Sequence, residues 1–164
     1  FHYKNPRTNI TSGGLGTMGF ALPASMGAKL GAPQQHVVAI IGDGGFQMTL
    51  QELGTIAQYK IPVKIIVLNN EFLGMVRQWQ QMFFEGRYSF TEMNNPDFIK
   101  LNEAYGIKAK KVIDRNELSG ALNEMLLHDG PYFLEVKVEK EENVFPMIPT
   151  GAAVSDMVLE VKNK

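Results

Sequence analysis

Val37-Val38-Ala39-Ile40-Ile41-Gly42-Asp43-Gly44-Gly45 is the stretch on which the fold turns. Five consecutive apolar residues without polar alternation read as a strand buried on both faces, which is how strands of a parallel sheet read. The run stops at a glycine-rich turn, and helical periodicity follows. Glycines at such a turn let backbone N–H groups approach an anion closely, while the positive end of the following helix favours negative charge at the same place. Strand, glycine turn and helix together fit a phosphate group. The simpler reading of Asp43 is an ordinary helix N-cap.

Working outward, apolar runs of strand length alternate with stretches of helical period. Strands are expected at Val37–Ile41, Val63–Leu68, Lys110–Ile113 and Tyr132–Val138. Helices are expected at Gly19–Leu30, Leu50–Tyr59, Leu73–Met82, Pro96–Tyr105 and Asn116–His128. This alternation predicts an α/β fold, a parallel sheet with helices on both faces. In the last strand Glu135 and Lys137 alternate with Leu134, Val136 and Val138, which predicts one wetter face. The charged run Lys140-Glu141-Glu142 and the prolines 146 and 149 end regular structure, so residues 1–139 are expected to form the domain and residues 140–164 an arm over its surface.

Composition narrows the function. The 164 residues amount to about one domain. Sixteen Lys plus Arg against seventeen Asp plus Glu leave a net charge of −1, which provides no basic footprint for nucleic acid or an anionic bilayer. No apolar run reaches the roughly 20 residues of a membrane span. The absence of Cys removes disulfides, thiolate metal sites and cysteine nucleophiles together. Of 16 Gly, nine lie between Gly13 and Gly45, which directs the search for chemistry to that stretch. The chain begins at Phe1 on residues that read as the inside of a domain, so a longer protein is expected.

A second strand end sharpens the site. The strand Val63–Leu68 runs into Asn69-Asn70, with 24 residues, Gly45 to Leu68, between Gly44 and Asn69. A parallel βαβ unit brings both strand C-termini to one edge of the sheet, with neighbouring strands about 4.8 Å apart, so Asp43 and Asn70 are expected to face one small volume. A carboxylate and an amide oxygen are hard ligands suited to Mg²⁺, which fills its remaining positions with water and phosphate oxygens. A merely polar turn at Asn69-Asn70 is the simpler alternative. His2, His36 and His128 show no metal-ligand spacing.

Gly42-Asp43-Gly44 followed by Asn69-Asn70 resembles the metal and diphosphate motif of thiamine diphosphate enzymes. The stretch Thr11-Ser12-Gly13-Gly14-Leu15-Gly16-Thr17-Met18-Gly19-Phe20-Ala21-Leu22-Pro23-Ala24 resembles their 2-keto acid carboligases and decarboxylases. Phe46-Gln47-Met48-Thr49-Leu50, Gly74-Met75-Val76-Arg77-Gln78-Trp79-Gln80, Asn95-Pro96-Asp97-Phe98-Ile99-Lys100-Leu101 and Phe145-Pro146-Met147-Ile148-Pro149 are similar to the C-terminal cofactor domain of acetolactate synthase catalytic subunits.

The resemblance implies a thiamine diphosphate-binding fold lacking its first strand. It also implies roles. Asp43 and Asn70 match side-chain Mg²⁺ ligands, and Phe72 matches a ligand that acts through its backbone carbonyl. Gly44 and Gly45 match diphosphate donors. The Gly16 carbonyl matches the acceptor from the cofactor's 4′-amino group, and Met18 the apolar wedge that bends the cofactor. Met75 and Trp79 match the substrate pocket. The activity implied is decarboxylation of pyruvate and ligation of the two-carbon product to a second 2-keto acid, in branched-chain amino acid biosynthesis. The implied setting is a homodimer or tetramer with a regulatory small subunit, FAD in another domain, and the cytoplasm for a bacterial member. No residue of this chain matches the activating Glu that relatives supply from another domain, so the chain alone is expected to be inactive. Plain core packing is the alternative for Met18 and Met75 and the expectation for Met48. Glu52 is expected to be structural, and Arg77 to contact an anion. Glyoxylate carboligase, pyruvate oxidase, a catabolic acetolactate synthase and a non-catalytic nucleotide-binding module remain as other readings.

Overall fold

A computed structural model describes residues 2–160. Four parallel strands, β1 (Val38–Gly42), β2 (Lys64–Asn69), β3 (Lys108–Val112) and β4 (Tyr132–Lys137), form one sheet in the order β1-β2-β4-β3. The helices are α1 (Ala21–Gly31), α2 (Asp43–Gln47), α3 (Glu52–Tyr59), α4 (Gly74–Phe83), α5 (Phe98–Ala104) and α6 (Leu118–Leu127). The expected elements are all present, with ends displaced by at most two residues. The five-residue α2, which begins on Asp43 itself, has no counterpart among them because its glycines mask the helical pattern.

The sheet carries an apolar layer on each face. Ile65 and Val67 of β2 join Ala39, Ile41, Leu22, Phe46, Leu53, Ile56, Phe98 and Phe133 in the larger core. The intervening Ile66 packs with Tyr132, Leu134, Ala121 and Met125 in a second core under α6. The period of two along β2 thus separates the two faces.

Three expectations fail here. β1 is buried on one face only: Val38 and Ile40 are exposed, Ile40 by 64%. α6 lies against β3 and β4, and β1 is the sheet's edge, so nothing among the described residues covers that side. β4 has no wet face at its centre, because Glu135 is buried between β2 and β3. Met48 is 52% exposed and is not a core residue.

α4 is tied to residues 141–147. Arg77, fully buried, donates through Nη2 to the carbonyl oxygens of Glu141 (3.1 Å) and Glu142 (3.3 Å). Gln78 donates to the Val144 carbonyl (3.1 Å) and accepts from the Val144 N–H (2.8 Å). Arg77 also lies beside the rings of Phe72 and Tyr88, about 6 Å from each centroid. Its guanidinium also lies 3.8 Å from the Glu141 carboxylate, so the anion that Arg77 meets among the described residues is the chain's own. Nη2 serves the two carbonyls while Nη1 reaches Gln81 and Tyr88, a spread of acceptors that suits the planar guanidinium.

Candidate functional site

β1 and β2 run in parallel with Gly42 opposite Leu68, so the turn at Asp43 and the loop at Asn69–Phe72 open at the same sheet edge. They touch. The Glu71 N–H donates to Asp43 Oδ2 at 3.0 Å and lies 3.1 Å from Asn69 Oδ1. Glu71 adopts a left-handed backbone (φ 59°), and this reversal turns its N–H back toward Asp43. Its carboxylate is held by Lys137, at the end of β4, and by Lys140 at 3.1 Å. Those two cations hold it below the usual carboxylate range.

Asp43 is not an N-cap. Gly42 occupies that position, and the Asp43 side chain, 1% exposed, points across to Glu71 and Asn95 instead. Burial raises its pKa, and hydrogen bonds from Asn95 and from backbone N–H groups oppose the rise. Its recorded partners are amides; no basic side chain among the described residues pairs with it. A desolvated carboxylate of this kind is the group a divalent cation stabilises.

Asn70 is turned into its own loop, its Oδ1 accepting from the Phe72 N–H at 3.2 Å, and its Nδ2 lies beside Gly74 at the start of α4. A carbonyl oxygen has a second lone pair, so this Asx turn fixes Asn70 without saturating it. Phe72 forms a single antiparallel bridge with Glu92, whose flanking bonds, Leu73 N–H to Thr91 and Met93 N–H to Glu71, leave the Phe72 carbonyl out of the pairing. The loop therefore offers an amide oxygen and a main-chain oxygen within two residues.

The glycine turn is a close fit. A Cβ on Gly44 would come within 2.7 Å of Leu73 Cδ2, 3.2 Å of Met93 Sδ and 3.5 Å of Met18 Cε. Met18 thus sits over the glycine turn. The glycine-rich stretch before α1 reaches the same place: Thr49 donates to the Gly19 carbonyl at 3.0 Å, and Gly45 would bring a Cβ within 3.8 Å of Gly19 N. Gly16 closes a turn on Ser12 (2.9 Å) at φ 62° with open space around it. Met75 and Trp79 lie in the first and second turns of α4 on a half-exposed apolar stripe with Phe83, whose ring centroid is 5.0 Å from that of Trp79.

The roles of five participants, Asn69, Glu135, Lys111, Asn95 and Gln47, were not legible in the sequence. Asn69 is buried and donates to Glu135 Oε1 at 2.7 Å. Lys111 holds that carboxylate at 3.0 Å. Asn95 donates to Asp43 Oδ2 (2.6 Å) and Asn69 Oδ1 (3.0 Å), and accepts from Gln47 Nε2 (2.7 Å). The available signal for Asn95 was its place before Pro96, where the chain must be extended, and two residues before the N-cap Asp97.

The model for the family described as thiamine pyrophosphate enzyme, C-terminal TPP binding domain, matches residues 1–136. The chain is 49% identical over 157 residues to the acetolactate synthase isozyme 2 large subunit of Escherichia coli strain K12, covering 95% of this chain and 29% of that protein. It is 49% identical over 156 residues to the mitochondrial acetolactate synthase catalytic subunit of Saccharomyces cerevisiae, covering 95% and 23%. Among solved structures, the thiamine diphosphate-dependent 4-hydroxybenzoylformate decarboxylase of Rhodococcus jostii RHA1 superposes with a TM-score of 0.71 at 35% identity, over 77% of this chain and 24% of that one. The chain thus spans about a quarter of the length of these relatives. With the glycine turn and the asparagine loop meeting at one sheet edge, the chain belongs to the thiamine pyrophosphate enzymes, as their C-terminal cofactor-binding domain and a homologue of acetolactate synthase catalytic subunits.

Proposed function

We propose that this domain anchors thiamine diphosphate through Mg²⁺ in an acetolactate synthase, the enzyme that decarboxylates pyruvate and ligates the product to a second 2-keto acid. The observation that carries the reading is the 3.0 Å contact between Asp43 and the Glu71 N–H, which holds the acid of one strand end against the loop of the next. The donor set fits a small hard cation: a carboxylate, an amide oxygen and a main-chain carbonyl, with room left for water and phosphate oxygens. Asp43, Asn70 and the Phe72 carbonyl would hold the ion, and the Gly44 and Gly45 N–H groups the diphosphate.

When bound, the cofactor supplies the electron sink for decarboxylating a 2-keto acid. The chain's residues position and enclose. Met18, over Gly44, would pack against the cofactor with an unbranched and adaptable side chain. The Gly16 carbonyl would accept a hydrogen bond from the cofactor's amino group. Met75 and Trp79 form an apolar wall that keeps water from the keto acid. FAD, the activating Glu, assembly into a dimer or tetramer, a regulatory small subunit and, for a bacterial protein, the cytoplasm complete the proposed setting. So does a division into a cofactor domain over residues 1–139 and an arm over residues 140–164. No helix among the described residues is long and apolar enough to cross a membrane.

A hybrid tests the reading: this chain replaces the matching segment of the Escherichia coli isozyme 2 large subunit. Acetolactate should form from pyruvate in a thiamine diphosphate- and Mg²⁺-dependent manner. A folded hybrid that binds thiamine diphosphate and makes no acetolactate contradicts the activity; one that binds ATP with Mg²⁺ and ignores thiamine diphosphate contradicts the cofactor as well.

A further inference from the structure

A continuous line of polar side chains crosses the carboxyl edge of the sheet and ends on Asp43. It starts at Lys111 in β3, passes through the buried Glu135 in β4 and Asn69 in β2, and reaches Asn95 in the segment before α5. Each link sets the direction of the next. Glu135 can only accept, so Asn69 presents its NH₂ to Glu135 and its oxygen to Asn95. Asn95 must then present its NH₂ toward Asn69 and Asp43, and its own oxygen takes the Gln47 NH₂ from α2. The Asn95 and Glu71 donors converge on one carboxylate oxygen, Oδ2 of Asp43, and neither touches Oδ1.

We infer that Asn95 is a positioning residue for cation binding: it fixes the rotamer of Asp43 through Oδ2, so that Oδ1 is presented to the metal, without itself touching the ion. The inference rests on the Mg²⁺ reading above and adds to it a residue outside both the glycine turn and the asparagine loop. Two hydrogen bonds from one amide lock the carboxylate relative to Asn69, so a site with Asn95 intact spends no freedom on ordering Asp43 when the cation arrives. Outer groups that orient a ligand typically change metal affinity by about 10-fold to 100-fold when removed.

The test uses the protein with Mn²⁺ as a spectroscopic substitute, counting free ion by electron paramagnetic resonance in the presence of thiamine diphosphate, so no turnover is needed. Asn95→Ala should weaken Mn²⁺ binding by about 10-fold or more, while thiamine diphosphate affinity at saturating Mn²⁺ returns to within about threefold of the parent. Gln47→Ala, which frees the Asn95 amide without deleting it, should weaken Mn²⁺ in the same direction by less, and it decides the matter if the Asn95 variant does not fold. A folded Asn95→Ala protein, or failing that a folded Gln47→Ala protein, that binds Mn²⁺ within twofold of the parent overturns the inference. Asp43→Asn separates the two levels. If it abolishes Mn²⁺ binding and Asn95→Ala does not weaken it, only the inference fails; if Asp43→Asn leaves Mn²⁺ binding intact, the cation site itself is misplaced.

Discussion

Gly19 shows how closely the glycine-rich stretch before α1 is fitted to the site. Its φ is 84°, and an added Cβ would meet Thr49 Cγ2 at 3.0 Å and Met48 Cβ at 3.1 Å. The second contact is to an atom fixed to the backbone, which no rotamer change relieves. Gly19→Ala is expected to cost about 1–3 kcal/mol, lowering the Tm by roughly 3–10 °C for a domain of this size. Thermal unfolding followed by circular dichroism checks this, and an unchanged Tm would mean that the 17–20 segment is not seated against α2. At this scale the sequence was informative where a residue's type dictates its chemistry. Asp43 and Asn70 could be singled out because a hard-ligand pair at adjacent strand ends has few other uses. Asn95 and Glu135 could not, because their roles come from contacts with residues 52 and 66 positions away in the chain. Met48 misled because a methionine two residues after a buried Phe46 gives no hint that α2 ends before it and leaves it half-exposed as the C-cap.

Two elements on the far side of the sheet are joined by charge. Glu124 of α6 pairs with Lys108 and Lys110 of β3, both at 2.8 Å, and these lysines pull its carboxyl down to about 2. The sign follows directly. A folded value below the ordinary 4.5 means that the pairing is fully present above about pH 4.5 and is lost as the pH falls toward 2. Glu124→Gln should therefore lower stability at neutral pH, converge with the parent as the pH falls toward 2, and so flatten the acid limb between those values, read by denaturant titration at several pH values. α4 is a different case. Its apolar stripe with Met75, Trp79 and Phe83 is half-exposed while its opposite side is pinned by Arg77 and Gln78 to residues 141–147. Arg77→Ala removes a buried cation and leaves the carbonyls of Glu141 and Glu142 without their donor. A loss of about 3 kcal/mol or more is expected, with faster amide exchange or proteolysis confined first to residues 141–160. Arg77→Lys should not restore it, since one ammonium cannot span the same fork of acceptors. Uniform destabilisation with no preferential release of 141–160 would contradict the clamp. The helix itself was legible from its periodicity, but the clamp was not, because a sequence pattern does not say which late segment returns to which early helix.

For the molecule as a whole, the alternation of strands and helices was enough to give a parallel α/β sheet, and the motif spacing was enough to bring two loops to one edge of it. What the pattern did not give was the extent of cover. Val37–Ile41 reads as doubly buried, yet Val38 and Ile40 face outward at the edge of the sheet, and the chain spans about a quarter of its relatives. An apolar run reports what a strand is suited to pack against, not whether that partner lies within the same stretch of chain. The proposed cation ligands, by contrast, all come from the ends of β1 and β2, with β3, β4 and the segment before α5 supporting them from behind. The central claim is that one cation is gripped across two strand ends. Crystals of the protein grown with thiamine diphosphate and Mn²⁺, measured at the manganese absorption edge, test it directly. The account predicts one anomalous peak about 2.1 Å from a carboxylate oxygen of Asp43, the side-chain oxygen of Asn70 and the main-chain oxygen of Phe72. A peak bound by other residues, or diphosphate density at the Gly44 turn with no metal between Asp43 and Asn70, would contradict it.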